Sequence, residues 1–153
     1  QGTYMDARAA LAYLHSRNDI NSEKIIFFGR SLGSAVAVDL AVKEKCRALI
    51  LETPFTSIKE MGKELYPFLP FTIFLRTKYD SLSKIRDIKV PTLIMHGDKD
   101  ELVPIEQGKR LYEKANEPKE FYTIPGAMHN DTHIVGGVEY FDVIKNFVNK
   151  LEK

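Results

Sequence analysis

The chain holds a single cysteine, Cys46, so no disulfide can form within it and its stability must come from a packed core. Cys46 falls between a helical and a strand-like stretch and reads as a small buried hydrophobe. No apolar run reaches the eighteen or so residues of a membrane span, and no charged-apolar-small pattern of a signal peptide opens the sequence. Residue 1 is Gln and a helical pattern begins almost at once, so an N-terminal portion is expected to be missing, and any targeting or membrane-tethering signal with it. Excess charge of either sign is lacking too. Lysine plus arginine number 22 against 21 acidic residues, a net +1 with no basic block, which argues against a strong electrostatic grip on nucleic acid. Internal repeats and low-complexity segments are absent. What remains is an ordinary globular composition, 153 residues of which 44% are hydrophobic and 28% charged. A chain of this length buries about 70% of its unfolded surface, enough for one domain without a structural metal.

Thr3 and Asp6 have the spacing of a capping box, and Tyr4, Ala7, Leu11 and Leu14 recur at helical intervals, predicting a helix over 3–16. The run 25–28 is apolar without alternation, the pattern of a strand covered on both faces, and Gly29 stops it. Residues 32–44 are apolar almost throughout and predict a helix buried on most sides. A second strand follows at 47–51. Residues 53–83 break the rhythm with Pro54, Pro67 and Pro70 among aromatic and aliphatic residues; they read as short helices and loops, with 65–75 available as a cap over a site. Pro91 introduces a strand at 92–96. Pro104 starts a helix whose buried face is Ile105, Gly108, Leu111, Tyr112 and Ala115. Residues 120–124 form a fourth strand, and Gly136-Gly137 precede a last helix with Phe141, Ile144, Phe147, Val148 and Leu151 on its buried stripe.

Helix and strand alternate in this order as in an α/β fold, a mainly parallel sheet with helices on both faces. Sites on such sheets lie at the carboxyl ends of strands, here the loops after Phe28, Leu51, His96 and Ile124. The first loop is Gly29-Arg30-Ser31-Leu32-Gly33, a G-x-S-x-G between a strand and a buried helix. A serine there sits on a tight, strained turn, and side chains at Gly29 and Gly33 would collide with neighbouring backbone. Its hydroxyl stands at a helix N-terminus, where the Leu32 N–H can face an oxyanion. Arg30 reads as a surface ion pair or a partner for a substrate carboxylate.

Serine needs a base, and the base a third group that fixes its tautomer. Of the four histidines, His15 ends the first helix and reads as solvated, and His96 ends a strand and reads as packed. His129 lies in the loop beyond the fourth strand and is the preferred base, with His133 in reserve. For the acid, the loop after the third strand offers Asp98, suited to capping turn N–H groups, and Asp100, which can reach toward His129 and is preferred. Glu52, at the end of the second strand, is the rival, read first as a carboxylate that binds backbone.

Gly29-Arg30-Ser31-Leu32-Gly33-Ser34-Ala35-Val36-Ala37, the run from His96 to Pro104, and Gly126-Ala127-Met128-His129-Asn130-Asp131 together resemble the α/β-hydrolase superfamily. More narrowly they are similar to its bud-emergence-type hydrolase-domain proteins, relatives of serine aminopeptidases and monoacylglycerol lipases. The resemblance runs over about residues 2–150 and implies Ser31 as nucleophile, Asp100 as acid and His129 as base. It also implies several strands ahead of the Ser31 turn and a second oxyanion donor from an early loop, neither of which has a counterpart here. The expected domain is therefore the C-terminal part of a larger catalytic domain, with a bare 25–28 edge that invites pairing with another chain, and the resemblance suggests a membrane-tethered parent. The function expected is hydrolysis of an acyl ester or thioester, lipid included, without metal or organic cofactor. A peptidase and a non-catalytic binding module are the alternatives.

Overall fold

The computed structural model describes residues 2–65 and 79–152. Its elements are α1 (Gly2–Ser16), β1 (Ile26–Arg30), α2 (Leu32–Lys43), β2 (Ala48–Glu52), α3 (Ile58–Leu65), β3 (Thr92–Gly97), α4 (Ile105–Lys114), β4 (Lys119–Ile124) and α5 (Thr132–Lys150). The four strands are parallel and lie in sequence order, β1-β2-β3-β4. Each crossover must therefore return the chain to the same end of the sheet, and right-handed connections put them on one face. Accordingly α2, α4 and residues 85–88 of the β2–β3 crossover share one core with Phe27, Leu49, Leu51 and Ile94. The opposite face holds Ala48, Ile50, Leu93, Met95 and Ile124 against Tyr140 and Phe147 of α5. Successive side chains of a strand alternate between these layers. With both layers apolar, β2 and β3 are buried at every residue, which is why their sequences show no alternation.

The β2–β3 crossover leaves the sheet through a narrow neck. The Thr56 carbonyl accepts from the N–H groups of Ser81 (2.9 Å) and Leu82 (3.0 Å), so residues 57–80 depart and return at one point. Within that excursion Met61 packs against Ala35 of α2 and Val103 of the loop after β3. The expected cap, residues 65–75, lies outside the described residues but for residue 65.

Several expectations are corrected. Gly29 does not stop β1, which continues in register through Gly29↔Leu51 and Arg30↔Glu52. The strand is not covered on both faces either. Phe28 is 48% exposed, because α5 packs on β3 and β4 and leaves that face of β1 open. Thr3 forms no capping box; it lies inside α1 and its hydroxyl meets the Tyr79 hydroxyl at 3.0 Å. The last helix starts at Thr132, with Gly137 (φ 51°, ψ −135°) as a kink within it. Its buried stripe includes Tyr140, whereas Phe141 is 60% exposed. On α4 the buried face includes Gln107, which the apolar pattern passes over; its Oε1 accepts from the Thr56 N–H (2.9 Å) and hydroxyl (2.5 Å).

Candidate active site

Ser31 links β1 to α2 with φ 51° and ψ −121°, a backbone region costly for a residue with a side chain, about 1–3 kcal/mol. The surroundings hold it there. Its N–H donates to the Glu52 carbonyl (2.9 Å), and its own carbonyl accepts from the Ser34 N–H (2.9 Å) and hydroxyl (2.5 Å). The turn is possible because Gly29 lacks a side chain: a Cβ there would lie 2.5 Å from the Gly33 carbonyl oxygen and 2.7 Å from the Ser34 Cα. Gly33 is different. A Cβ on it would meet nothing within 4 Å, so the expected collision on that side is absent. Gly33 sits in the first turn of α2 beside an open apolar groove lined by α1 and β1, and no backbone crosses it closely. Leu32 opens α2, so its N–H belongs to the first turn and has no acceptor within the helix.

The loops after β3 and β4 meet this turn. His129 Nε2 stands 2.9 Å from Ser31 Oγ, and its Nδ1 lies 2.8 Å from Asp100 Oδ2. Asp100 is fixed in turn, since its Oδ1 accepts from the N–H groups of Leu102 (3.0 Å) and Val103 (2.8 Å). These bonds orient the rings and protons. With Asp100 ionised, His129 carries its proton on Nδ1 and offers an Nε2 lone pair to the Ser31 hydroxyl. Burial alone would raise the Asp100 pKa; hydrogen bonds from His129, His96 and the Val103 N–H outweigh it and hold the carboxyl well below the usual range. His96 is fully buried, its Nε2–H donating to the Val103 carbonyl (2.8 Å) and lying 3.4 Å from Asp100 Oδ2.

The other candidates fall elsewhere. Asp98 Oδ1 accepts the Gly126 N–H at 2.6 Å, bracing the loop after β4. His15 and His133 are exposed. Glu52 is 2% exposed and does not touch His129's ring; it accepts from the Thr132 hydroxyl and from Tyr140 (3.1 Å), and its Oε1 lies 3.3 Å from Arg30 Nε. Burial, then the Glu52 charge, pushes the Tyr140 phenol up. Arg30 is more than an ion pair: its Nη2 donates to the His129 carbonyl (2.7 Å) and Asn130 Oδ1 (3.3 Å). Thr132 and Tyr140 are not legible in the sequence as site neighbours; they lie on either side of the Gly137 kink in α5, and no local pattern pairs either with Glu52. Beside His129 a cavity of about 340 Å³ is lined by Glu101, Leu102, Met128, Asn130 and Asp131. Among the described residues no cluster of side chains is arranged to hold a metal ion, and no helix is long and apolar enough to cross a membrane.

Residues 71–133 match the family model described as serine aminopeptidase, S33. The chain is 39% identical over 168 residues to the Arabidopsis thaliana α/β-hydrolase domain-containing protein WAV2, covering 98% of this chain and 54% of that protein. It is 39% identical over 153 residues to the bem46 protein of Schizosaccharomyces pombe, covering 96% and 50%. The chain belongs to the α/β-hydrolase superfamily. A Pyrococcus furiosus esterase superposes on this hydrolase fold with a TM-score of 0.78 at 21% identity, over 98% of this chain and 62% of that one. The four-stranded parallel sheet is thus an α/β-hydrolase sheet, and the chain spans about half the length of the curated relatives it matches.

Proposed function

We propose that this α/β-hydrolase chain carries a serine nucleophile, Ser31, with His129 as base and Asp100 as acid, and cleaves carboxylic esters or thioesters. The observation that carries the reading is the unbroken hydrogen-bonded chain from Ser31 Oγ through both His129 ring nitrogens to Asp100, at 2.9 and 2.8 Å. Ser31 Oγ attacks the acyl carbon as its proton passes to His129 Nε2, and the Leu32 N–H faces the oxyanion. Collapse breaks the bond to the leaving group, which takes the proton from His129 and leaves an acyl-Ser31. Water then gives a proton to His129, attacks the acyl carbon, and Ser31 Oγ recovers its proton as the acid departs. Asp100 stays ionised throughout, which its depressed pKa favours. No step calls for a metal or organic cofactor. Leu102 and Met128, 45% and 53% exposed on the cavity beside His129, supply apolar surface for an acyl chain.

Amide cleavage after a free amine is the second reading, favoured by Glu101 on the same cavity wall and by the serine-aminopeptidase family model. A fluorophosphonate probe, with the modified peptide mapped by mass spectrometry, tests the nucleophile. The adduct is expected on Ser31 alone and should be absent in Ser31→Ala; an undiminished adduct in that variant refutes the assignment. Rates on acyl esters against aminoacyl amides then order the two readings.

A further inference from the structure

Asp100 and Ser31 meet the two nitrogens of the His129 ring, but neither fixes the backbone that carries it. We propose that Arg30, held by Glu52, is a positioning residue that sets the His129 loop over Ser31. For its rate readout the proposal rests on the serine-hydrolase reading; its spectroscopic readout does not.

Arg30 is the last residue of β1 and the immediate neighbour of Ser31, so its backbone is as fixed as the sheet. It pairs in register with Glu52, the last residue of β2. Register partners on parallel strands face the same side, and Arg30 Nε accordingly lies 3.3 Å from Glu52 Oε1. The same guanidinium reaches on through Nη2 to the His129 carbonyl at 2.7 Å and to Asn130 Oδ1 at 3.3 Å. Glu52 meanwhile accepts from the hydroxyls of Thr132 and Tyr140, on either side of the Gly137 kink. Two strand ends thereby clamp the segment that runs from His129 into α5.

A simpler account makes Arg30 only the counter-ion of a buried carboxylate. That account explains the contact through Nε but not the one through Nη2, which falls on the backbone of the residue whose ring meets Ser31. The planar fork of arginine can hold both partners at fixed separation, whereas one ammonium cannot. The two accounts therefore diverge for lysine at this position. A displacement of about 1 Å at a reacting group costs about 100-fold in rate.

The test compares Arg30→Gln, Arg30→Lys and Thr132→Val with the unaltered chain. Two quantities are read: the second-order rate of Ser31 modification by an alkyl fluorophosphonate, and the low-field proton resonance of His129 Nδ1–H, assigned by its loss in His129→Gln. Arg30→Gln is expected to slow modification about 10- to 100-fold and to shift or broaden the resonance. Arg30→Lys, which keeps a counter-ion for Glu52, should stay about fivefold or more below the unaltered chain; full recovery makes Arg30 a counter-ion only and overturns the proposal, even if Arg30→Gln fails to fold. Thr132→Val should slow modification severalfold with Arg30 intact. An unmoved resonance and unchanged rate in Arg30→Gln also overturn it. If the unaltered chain gives no Ser31 adduct, the hydrolase reading falls, and the resonance alone decides the positioning role.

Discussion

In the proposed triad, replacing Asp100 with Asn separates the charge of the acid from its shape. Asp100 Oδ1 accepts two backbone N–H groups, from Leu102 and Val103, while Oδ2 faces His129 Nδ1. An amide has one oxygen to give. Turned so that its NH₂ faces the two N–H groups, it sets donors against donors and leaves buried groups unsatisfied, at about 1–3 kcal/mol each. The orientation that survives keeps the oxygen on the backbone and points the NH₂ at His129. The imidazole must then accept at Nδ1 and carry its proton on Nε2, aimed at Ser31 Oγ, where it cannot take a proton away. The fold is preserved and the base is lost. A wrong tautomer of this kind costs about 10⁴ in rate, which is about 5.5 kcal/mol of transition-state stabilisation. Hydrolysis of a p-nitrophenyl ester, with circular dichroism to show an intact fold, measures it. Asp98→Asn, which disturbs only the Gly126 contact, should cost less than about tenfold. An Asp100→Asn protein within tenfold of the unaltered rate, or an Asp98→Asn protein slowed as much, refutes the reasoning.

The two glycines of the Ser31 turn should behave oppositely. Gly29→Ala places a Cβ 2.5 Å from a backbone oxygen that cannot yield and should lose about 3 kcal/mol or fail to fold, whereas Gly33→Ala meets open space in a helical turn and should gain up to about 1 kcal/mol; urea denaturation ranks them, and the reverse order would contradict the packing described. Asp100 also predicts an acid dependence of stability. Its folded pKa is depressed, so its contribution is fully present above the unfolded value of about 3.9 and is lost as pH falls below it toward the folded one. The stability difference between the unaltered chain and Asp100→Asn should hold steady near neutral pH and narrow below about pH 4; a gap that widens on acidification reverses the sign.

The α/β order was legible because β2 and β3 are apolar on both faces, β3 lies between Pro91 and Gly97 and β2 stops just short of Pro54, so their ends could be read to within a residue or two. The same rule placed Ser31, Asp100 and His129 at the ends of three different strands. It could not assign partners to the polar residues among them. The Glu52 contacts to Thr132 and Tyr140 join residues 80 and 88 positions apart, and no periodicity encodes a long-range polar pair. Phe141 outranks Tyr140 as an apolar residue, yet Tyr140 faces the core because its hydroxyl finds Glu52 there. Gly33 misled for a related reason: a sequence motif carries two glycines, while the local chain approaches only one of them.

The neck at Thr56 has a consequence for how such a chain can change over time. Ser31, Asp100 and His129 are joined by hydrogen bonds spanning 98 and 29 positions, and none of the three lies between residues 57 and 80. That excursion starts and ends on one carbonyl, so its length is decoupled from the sheet. Doubling a closed loop adds only about 0.6 kcal/mol of closure entropy. Insertions and deletions there can remodel what packs over Ala35 and Val103 while Ser31, Asp100 and His129 keep their spacing. The fold thus separates a fixed Ser31–His129–Asp100 arrangement from an easily varied excursion, at a joint one residue wide.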